Sequence, residues 1–216
     1  MAEVKFCGLT RPEDAAFAAS LGAAFVGAVF ALGPRTRTAA EARQLFDAAA
    51  GAGSLRCVGV FGSQSPTEII AIADAARLDV VQLHGASDPD TVDEIRQHFA
   101  GEVWRVLRVR GAPREAEVRA APVGVDAVVV DALVDGALGG TGVAVDWDAL
   151  AAAIERAGRP ARLILAGGLR AENVGRAVEL VAPDVVDVSS GVESAPGIKD
   201  HERMRAFALA AARGGR

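Results

Sequence analysis

Cys7 closes the apolar run Val4–Cys7 and is followed at once by Gly8. A cysteine inside a strand reads as a small buried hydrophobe, but a thiol at a strand end beside a glycine can also reach a substrate. Asp131 follows Val128-Val129-Val130. A carboxylate directly after buried valines is costly unless it is paired or sits at an exposed strand end, so it reads as a loop cap or as an acid–base group. Asp187, between Val186 and Val188, is expected to point into a pocket as an orienting group or a substrate contact. His84, in Gln82-Leu83-His84-Gly85, reads equally as a ligand contact or a loop anchor. Three glycine-rich segments accompany these side chains: Gly139-Gly140-Thr141-Gly142, Gly167-Gly168 and Ser189-Ser190-Gly191. Glycine lets a backbone approach an anion closely, and successive N–H groups can hold phosphate oxygens. No lysine stands within these segments, so backbone dipoles are expected to carry the anion. Together these groups point to an enzyme site that grips its substrate by a phosphate.

Such groups act together only if the fold brings them to one place. The apolar runs Val4–Cys7, Ala24–Phe30, Arg56–Phe61, Val80–His84, Val103–Val109, Ala127–Asp131, Leu163–Ala166 and Val185–Ser189 are strand-like and rich in Val, Ile and Leu at both parities. That is the signature of parallel strands covered on both faces. Alanine-rich helical stretches separate them. Pro12-Glu13-Asp14, Ser65-Pro66-Thr67-Glu68, Asp88-Pro89-Asp90 and Asp146-Trp147-Asp148 carry helix-start chemistry, and Gly22, Gly158 and the Gly101 region mark ends. Eight strand-plus-helix units fill the chain, which predicts an α/β TIM (β/α)8 barrel as a single domain over 1–216. A doubly wound open sheet is the rival, but it usually has fewer strands. In a barrel the chemistry belongs at the C-terminal strand ends, where Cys7, His84, Asp131 and all three glycine segments fall. The opposite ends, led by Glu3, Arg56, Asp79 and Arg162, read as solvated edges, and Cys57 near them reads as core.

Hydrophobic residues make up 51% and charged residues 24%, which suits a folded globule, and the formal charge of −5 gives no reason to expect a nucleic-acid or membrane partner. The two cysteines fit a reducing cytoplasm better than a disulfide scaffold, and no signal-like or membrane-spanning run is visible, so cytoplasmic is the expectation. His98 and His201 lie on helical stretches and read as solvated. No ligand-spaced cluster suggests a metal, and no nucleotide cradle is present.

Lys5-Phe6-Cys7-Gly8-Leu9-Thr10-Arg11 resembles the K-x-C-G-[IL]-T opening of phosphoribosylanthranilate isomerases of tryptophan biosynthesis. The likeness continues through Val58-Gly59-Val60-Phe61, Val81-Gln82-Leu83-His84-Gly85, Asp131 with Gly139-Gly140-Thr141-Gly142, Val145-Asp146-Trp147, Ala166-Gly167-Gly168-Leu169 and Asp187-Val188-Ser189-Ser190-Gly191-Val192-Glu193. The resemblance implies a cofactor-free Amadori rearrangement of N-(5-phosphoribosyl)anthranilate to 1-(2-carboxyphenylamino)-1-deoxyribulose 5-phosphate, with Cys7 as general base and Asp131 as general acid. It places Arg35 on the anthranilate carboxylate, and from their positions His84 and Asp187 are expected among the substrate contacts. The phosphate falls to Gly140, Thr141, Gly142, Gly167, Gly168, Ser189, Ser190 and Gly191. The implied partner is a small phosphosugar bound by a monomer or homodimer. A modest shift from the ordinary thiol pKa of about 8.5 would supply thiolate, while Asp131 would be kept protonated by apolar neighbours. Two segments depart from the family pattern. Ala31-Leu32-Gly33-Pro34-Arg35-Thr36 stands for the usual Lys-Ser-Pro-Arg-[YF], and Phe61-Gly62-Ser63 for Phe-Val-Asn. Other phosphosugar isomerases on the same barrel place an aspartate at the position of Cys7, and a merely phosphate-binding barrel would need neither Cys7 nor Asp131.

Overall fold

The eight apolar runs pair in chain order, each parallel to the next, and the last closes on the first. The structure, a computed structural model, describes residues 1–51, 55–85, 89–109, 111–119, 124–132, 145–159 and 162–214. In order the elements are β1 (Glu3–Phe6), α1 (Pro12–Ser20), β2 (Phe25–Val29), α2 (Ala39–Ala49), β3 (Arg56–Phe61), α3 (Pro66–Ala76), β4 (Val80–Leu83) and α4 (Pro89–His98). There follow β5 (Glu102–Val109), α5 (Glu115–Arg119), β6 (Ala127–Ala132), α6 (Trp147–Ala157), β7 (Leu163–Leu165), α7 (Val174–Val181) and β8 (Val185–Val188). A 3-10 turn (Ser190–Val192), a hairpin of β9 (Glu193–Ala195) and β10 (Ile198–Lys199), and α8 (His201–Arg213) complete the chain. The closed parallel barrel is the architecture the residue pattern predicts. The hairpin is not predicted, because its strands are too short to leave a periodic signal.

Several strands end one residue before the apolar run does, yet the residue beyond stays tied to the wall. Cys7 N–H donates to Val188 at 2.9 Å, His84 N–H to Phe61 at 2.8 Å and Ala166 N–H to Val130 at 2.8 Å. Capping matches the local chemistry. Ser65 and Glu68 form a reciprocal capping box, as do Thr38 and Glu41, and Asp146 caps α6. Arg11 precedes α1 without capping it and instead clasps Asp14.

Strand alternation sorts side chains into two layers. Phe6, Val128, Val130, Val186 and Val188 face outward into the shell shared with the helices. Phe25, Val58, Val80, Trp104, Val129, Ile164 and Val185 form a separate inner cluster that fills the barrel. Trp104 is fully buried and meets Phe25 edge-on at 4.9 Å. Beneath it the N-terminal strand ends are paired rather than merely solvated. Arg56 bonds Glu102 at 2.7 Å, Arg162 bonds Glu3 at 2.6 Å, and both guanidinium groups lie about 5 Å from the Phe25 ring. Asp79, also read as a solvated edge, accepts the N–H of Cys57 at 2.7 Å. Cys57 itself is half-buried against the outer core, and burial beside Asp79 pushes its thiol up to about 12.

His201 also departs from its expected solvated state. Its ring stacks on Phe17 at 4.0 Å and its Nε2 lies 2.9 Å from the fully buried carboxylate of Asp14. Asp14 further accepts the guanidinium of Arg11 and the backbone N–H of Lys199, so one aspartate joins α1, α8 and the hairpin.

Candidate active site

The inner parity that fills the barrel floor with valine and aromatic residues changes character further along four of the strands. Above Val129 comes Asp131, above Val80 come Gln82 and His84, above Val185 come Asp187 and Ser189, and the same parity on β1 carries Lys5 and Cys7. Except for Lys5, these polar residues line one cleft at the mouth of the barrel.

Cys7 and Asp131 both border the cleft, from strands three steps apart round the ring. Asp131 is buried, and its Oδ2 lies 3.2 Å from Nε2 of His84, so a polar neighbour stands beside it as well as the expected apolar ones. Gly167, at φ +85°, faces Asp131. A Cβ there would come within 2.8 Å of the carboxylate Oδ1 and of the Ala132 nitrogen, so the glycine makes room for the acid and turns the backbone beside it. His84 Nδ1, Gln82 Oε1 and Asp187 Oδ1 are buried without a hydrogen-bond partner among the described residues. Buried polar atoms are normally satisfied, so three such atoms around one cleft mark places for a polar ligand.

Burial pushes the Cys7 thiol up, opposed by the positive charges of Lys5 and Lys199 and assisted by Asp187. This reverses the expected shift toward thiolate: in the free pocket the sulfur holds its proton more tightly than an ordinary thiol. Lys5 lies wholly buried beneath it and bonds Asp187 Oδ2 at 2.7 Å. Burial works against the Lys5 charge, but Asp187 and Cys7 outweigh that and hold the ammonium above its usual range.

At the cleft rim, Gly167, Gly168, Ser189, Ser190 and Gly191 come together, and Arg35 and Pro34 border the same opening. Residues 140–142, with their expected phosphate role, lie outside the described residues. A lysine does stand behind Ser189, although none accompanies the glycine-rich segments in the sequence. Lys199 Nζ donates to the Ser189 carbonyl at 3.0 Å and to Glu193 Oε1 at 2.9 Å. Glu193 in turn receives both arms of Arg35, Nε at 2.7 Å and Nη2 at 2.6 Å. Burial disfavours the Glu193 charge, but Arg35 and Lys199 prevail and keep it below the usual carboxylate range. The hydrogen bonds that Arg35 donates to Glu193 hold its guanidinium well charged. Lys5, Gln82, Glu193 and Lys199 are the site residues that residue-type reasoning passed over. Lys5 had a signal, a charged residue two places before Cys7 in an apolar run, whereas Lys199 is delivered by the hairpin.

Among the described residues no group of three His, Cys, Asp or Glu side chains could hold a metal, and no helix is long and apolar enough to cross a membrane. Residues 4–210 match the family described as N-(5'phosphoribosyl)anthranilate (PRA) isomerase. An N-(5'-phosphoribosyl)anthranilate isomerase of Rubrobacter xylanophilus is 41% identical over 212 residues, covering 98% of this chain and 99% of that one. The crystal structure of the phosphoribosyl anthranilate isomerase of Thermus thermophilus superposes with a TM-score of 0.83 at 34% identity, covering 97% of this chain and 98% of that one. A phosphoribosyl anthranilate isomerase crystallised with reduced 1-(o-carboxyphenylamino)-1-deoxyribulose 5-phosphate superposes at 0.81 with 30% identity, over 98% and 99% of the two chains. With its cysteine, aspartate and glycine-lined rim set at the strand ends of a barrel matched nearly end to end, the chain belongs to the N-(5'-phosphoribosyl)anthranilate isomerase family and is an isomerase.

Proposed function

We propose that this isomerase performs the Amadori rearrangement of N-(5-phosphoribosyl)anthranilate in tryptophan biosynthesis, with Asp131 as general acid and Cys7 as general base. The observation that carries the reading is the placement of both groups on one cleft, between a glycine–serine rim and a fixed guanidinium. The solved relative named with a reduced product analogue supports the same substrate class. The phosphate lies on residues 167–168 and 189–191, with 140–142 added from the sequence. The anthranilate carboxylate meets Arg35, whose fork Glu193 occupies through Nε and Nη2, leaving Nη1 for substrate. His84 and Asp187 meet the sugar between them.

Asp131 gives its proton to the furanose ring oxygen, the C1–O bond breaks, and the anilino nitrogen lone pair forms an iminium. The Cys7 thiolate then removes the proton from C2, and the C–H electron pair becomes the C1–C2 double bond of an enolamine. That enolamine takes a proton at C1 and loses one from the C2 hydroxyl to give the ketone. One proton has then moved from Asp131 to Cys7, and exchange with solvent resets the pair. Every step is a proton shift within one molecule, so no electrons are gained or lost, and each positioned proton-transfer group contributes roughly 10²–10⁴ in rate.

The test is to follow the fluorescence of phosphoribosylanthranilate with purified protein and no added metal. Enzyme-dependent loss is expected, with competitive inhibition by the reduced product analogue. Absence of turnover would overturn the assignment.

A further inference from the structure

Lys5 and Cys7 alternate on β1 and so point to the same side, into the barrel. Asp187 lies opposite Lys5 in the β1–β8 register, and the two meet at 2.7 Å with side-chain exposures of 0% and 7%. On the other side of β1 stands Gly27. A Cβ there would come to 3.1 Å from Cys7 Sγ and 3.5 Å from Lys5 Cε, so both side chains lean into the space it leaves on β2. The two side chains thus flank the same gap beside Gly27, with the lysine stem running alongside the sulfur. Dehydrating two ions is costly, and a pair of apolar residues would fill the same volume without that cost. The surrounding interior is made of such residues, Phe25, Val185 and Trp104 among them. What an apolar pair could not supply is a fixed positive charge against Sγ.

We propose that Lys5 is a positioning residue that holds the negative charge of the Cys7 sulfur when the thiol gives up its proton, with Asp187 as the counter-ion that keeps the ammonium charged while the thiol is protonated. The proposal rests on the reading of Cys7 as the base. When the S–H bond breaks, the proton passes to solvent in the open cleft, the electron pair stays on sulfur, and Lys5 keeps all its protons. Four charged groups act on Sγ: Lys5 from β1, Asp187 from β8, Lys199 from the hairpin and Arg35 from the loop after β2. Lys199 and Arg35 are already engaged by Glu193, at 2.9 Å and 2.6 Å. Of these three cations, Lys5 is the one paired with Asp187 and not with Glu193. Burial raises the thiol, and Lys5 is the largest influence pulling it back.

The experiment titrates Cys7 without substrate, by the rate of iodoacetamide alkylation against pH in the full chain. Cys57→Ala removes the other cysteine, and peptide mass locates the adduct. Three variants are compared: Lys5→Gln, the charge-neutral pair Lys5→Met/Asp187→Asn, and Asp187→Asn alone. Removing the ammonium is expected to move the alkylation midpoint up by about one pH unit, a roughly tenfold slower reaction below the midpoint. Asp187→Asn alone is expected to move it down, because the carboxylate charge that opposes the thiolate is then gone. A role in packing would not give opposite signs. Midpoints that move together in all variants, or that stay within about 0.3 unit of the parent, overturn the proposal. Thermal melting checks that each variant is folded, and the near-isosteric Asp187→Asn still decides the sign if the lysine variants do not fold. Because no substrate is present, the titration stands apart from turnover. Full activity in Cys7→Ala would refute the base while leaving the measured midpoints to judge Lys5.

Discussion

Replacing Asp131 by asparagine removes a proton donor while leaving almost everything else in place. The amide keeps an oxygen where Oδ2 now meets His84 Nε2 at 3.2 Å, and it fits beside Gly167, whose missing side chain already clears the other oxygen. The structural cost is therefore one long hydrogen bond traded for a neutral one, about 1 kcal/mol at most. For a chain of this size that corresponds to a melting shift of roughly 2–4 °C. The catalytic cost is of a different order. A positioned acid contributes roughly 10²–10⁴ in rate, or about 2.7–5.5 kcal/mol of barrier. The assay is initial-rate loss of phosphoribosylanthranilate fluorescence, with melting recorded on the same preparation. The expected result is kcat lowered at least a hundredfold with the melting temperature nearly unchanged. Activity within tenfold of the parent would refute the assignment of the acid, and a large fall in melting temperature would refute the account of how Asp131 is accommodated.

Cys7→Ala is expected to abolish most turnover with the fold intact, checked by the same rate assay and by circular dichroism. Arg35→Ala should raise KM by about 10- to 100-fold, the equivalent of one charge-assisted contact of roughly 1.5–3 kcal/mol, with a smaller change in kcat; initial rates over a substrate series separate the two. Because burial raises the Cys7 thiol, the thiolate fraction of the free enzyme grows through neutral and alkaline pH, so kcat/KM should still be rising above the ordinary thiol range; a plateau already reached at pH 7 would contradict this. Trp104→Ala empties the barrel floor and should cost about 3–5 kcal/mol in urea unfolding, because the indole is wholly buried against Phe25.

The barrel was legible because its strands are apolar at both parities, which is what burial on two faces requires. Asp131 and His84 were legible because each is a polar residue at the far end of such a run, and Asp187 because it is a charge between two valines of one. Cys7 remained ambiguous until the residues around it were read as a family motif. What escaped depends on contacts that no local pattern encodes. Glu193 and Lys199 reach the rim because a short hairpin folds back over β8, and His201 looked exposed because its aspartate lies 187 residues away. Lys5 was in plain view as a charge in an apolar run, but its counter-ion lies across the barrel seam, 182 positions away. The direction of the Cys7 shift was misread for a related reason: the depth of a strand end depends on the loops that close over it.

The ion pair between Lys5 and Asp187 spans 182 positions of the chain. During synthesis the lysine is made well before its aspartate, the rim serines, Glu193 and Lys199. At roughly 5–20 residues per second, on the order of ten to forty seconds pass between the two partners of that pair. Throughout that interval β1 lacks its β8 neighbour, and the lysine that will be buried must stay in water. The nascent chain thus cannot close its ring early around an uncompensated charge, and the site comes into existence only as the last strand and hairpin arrive.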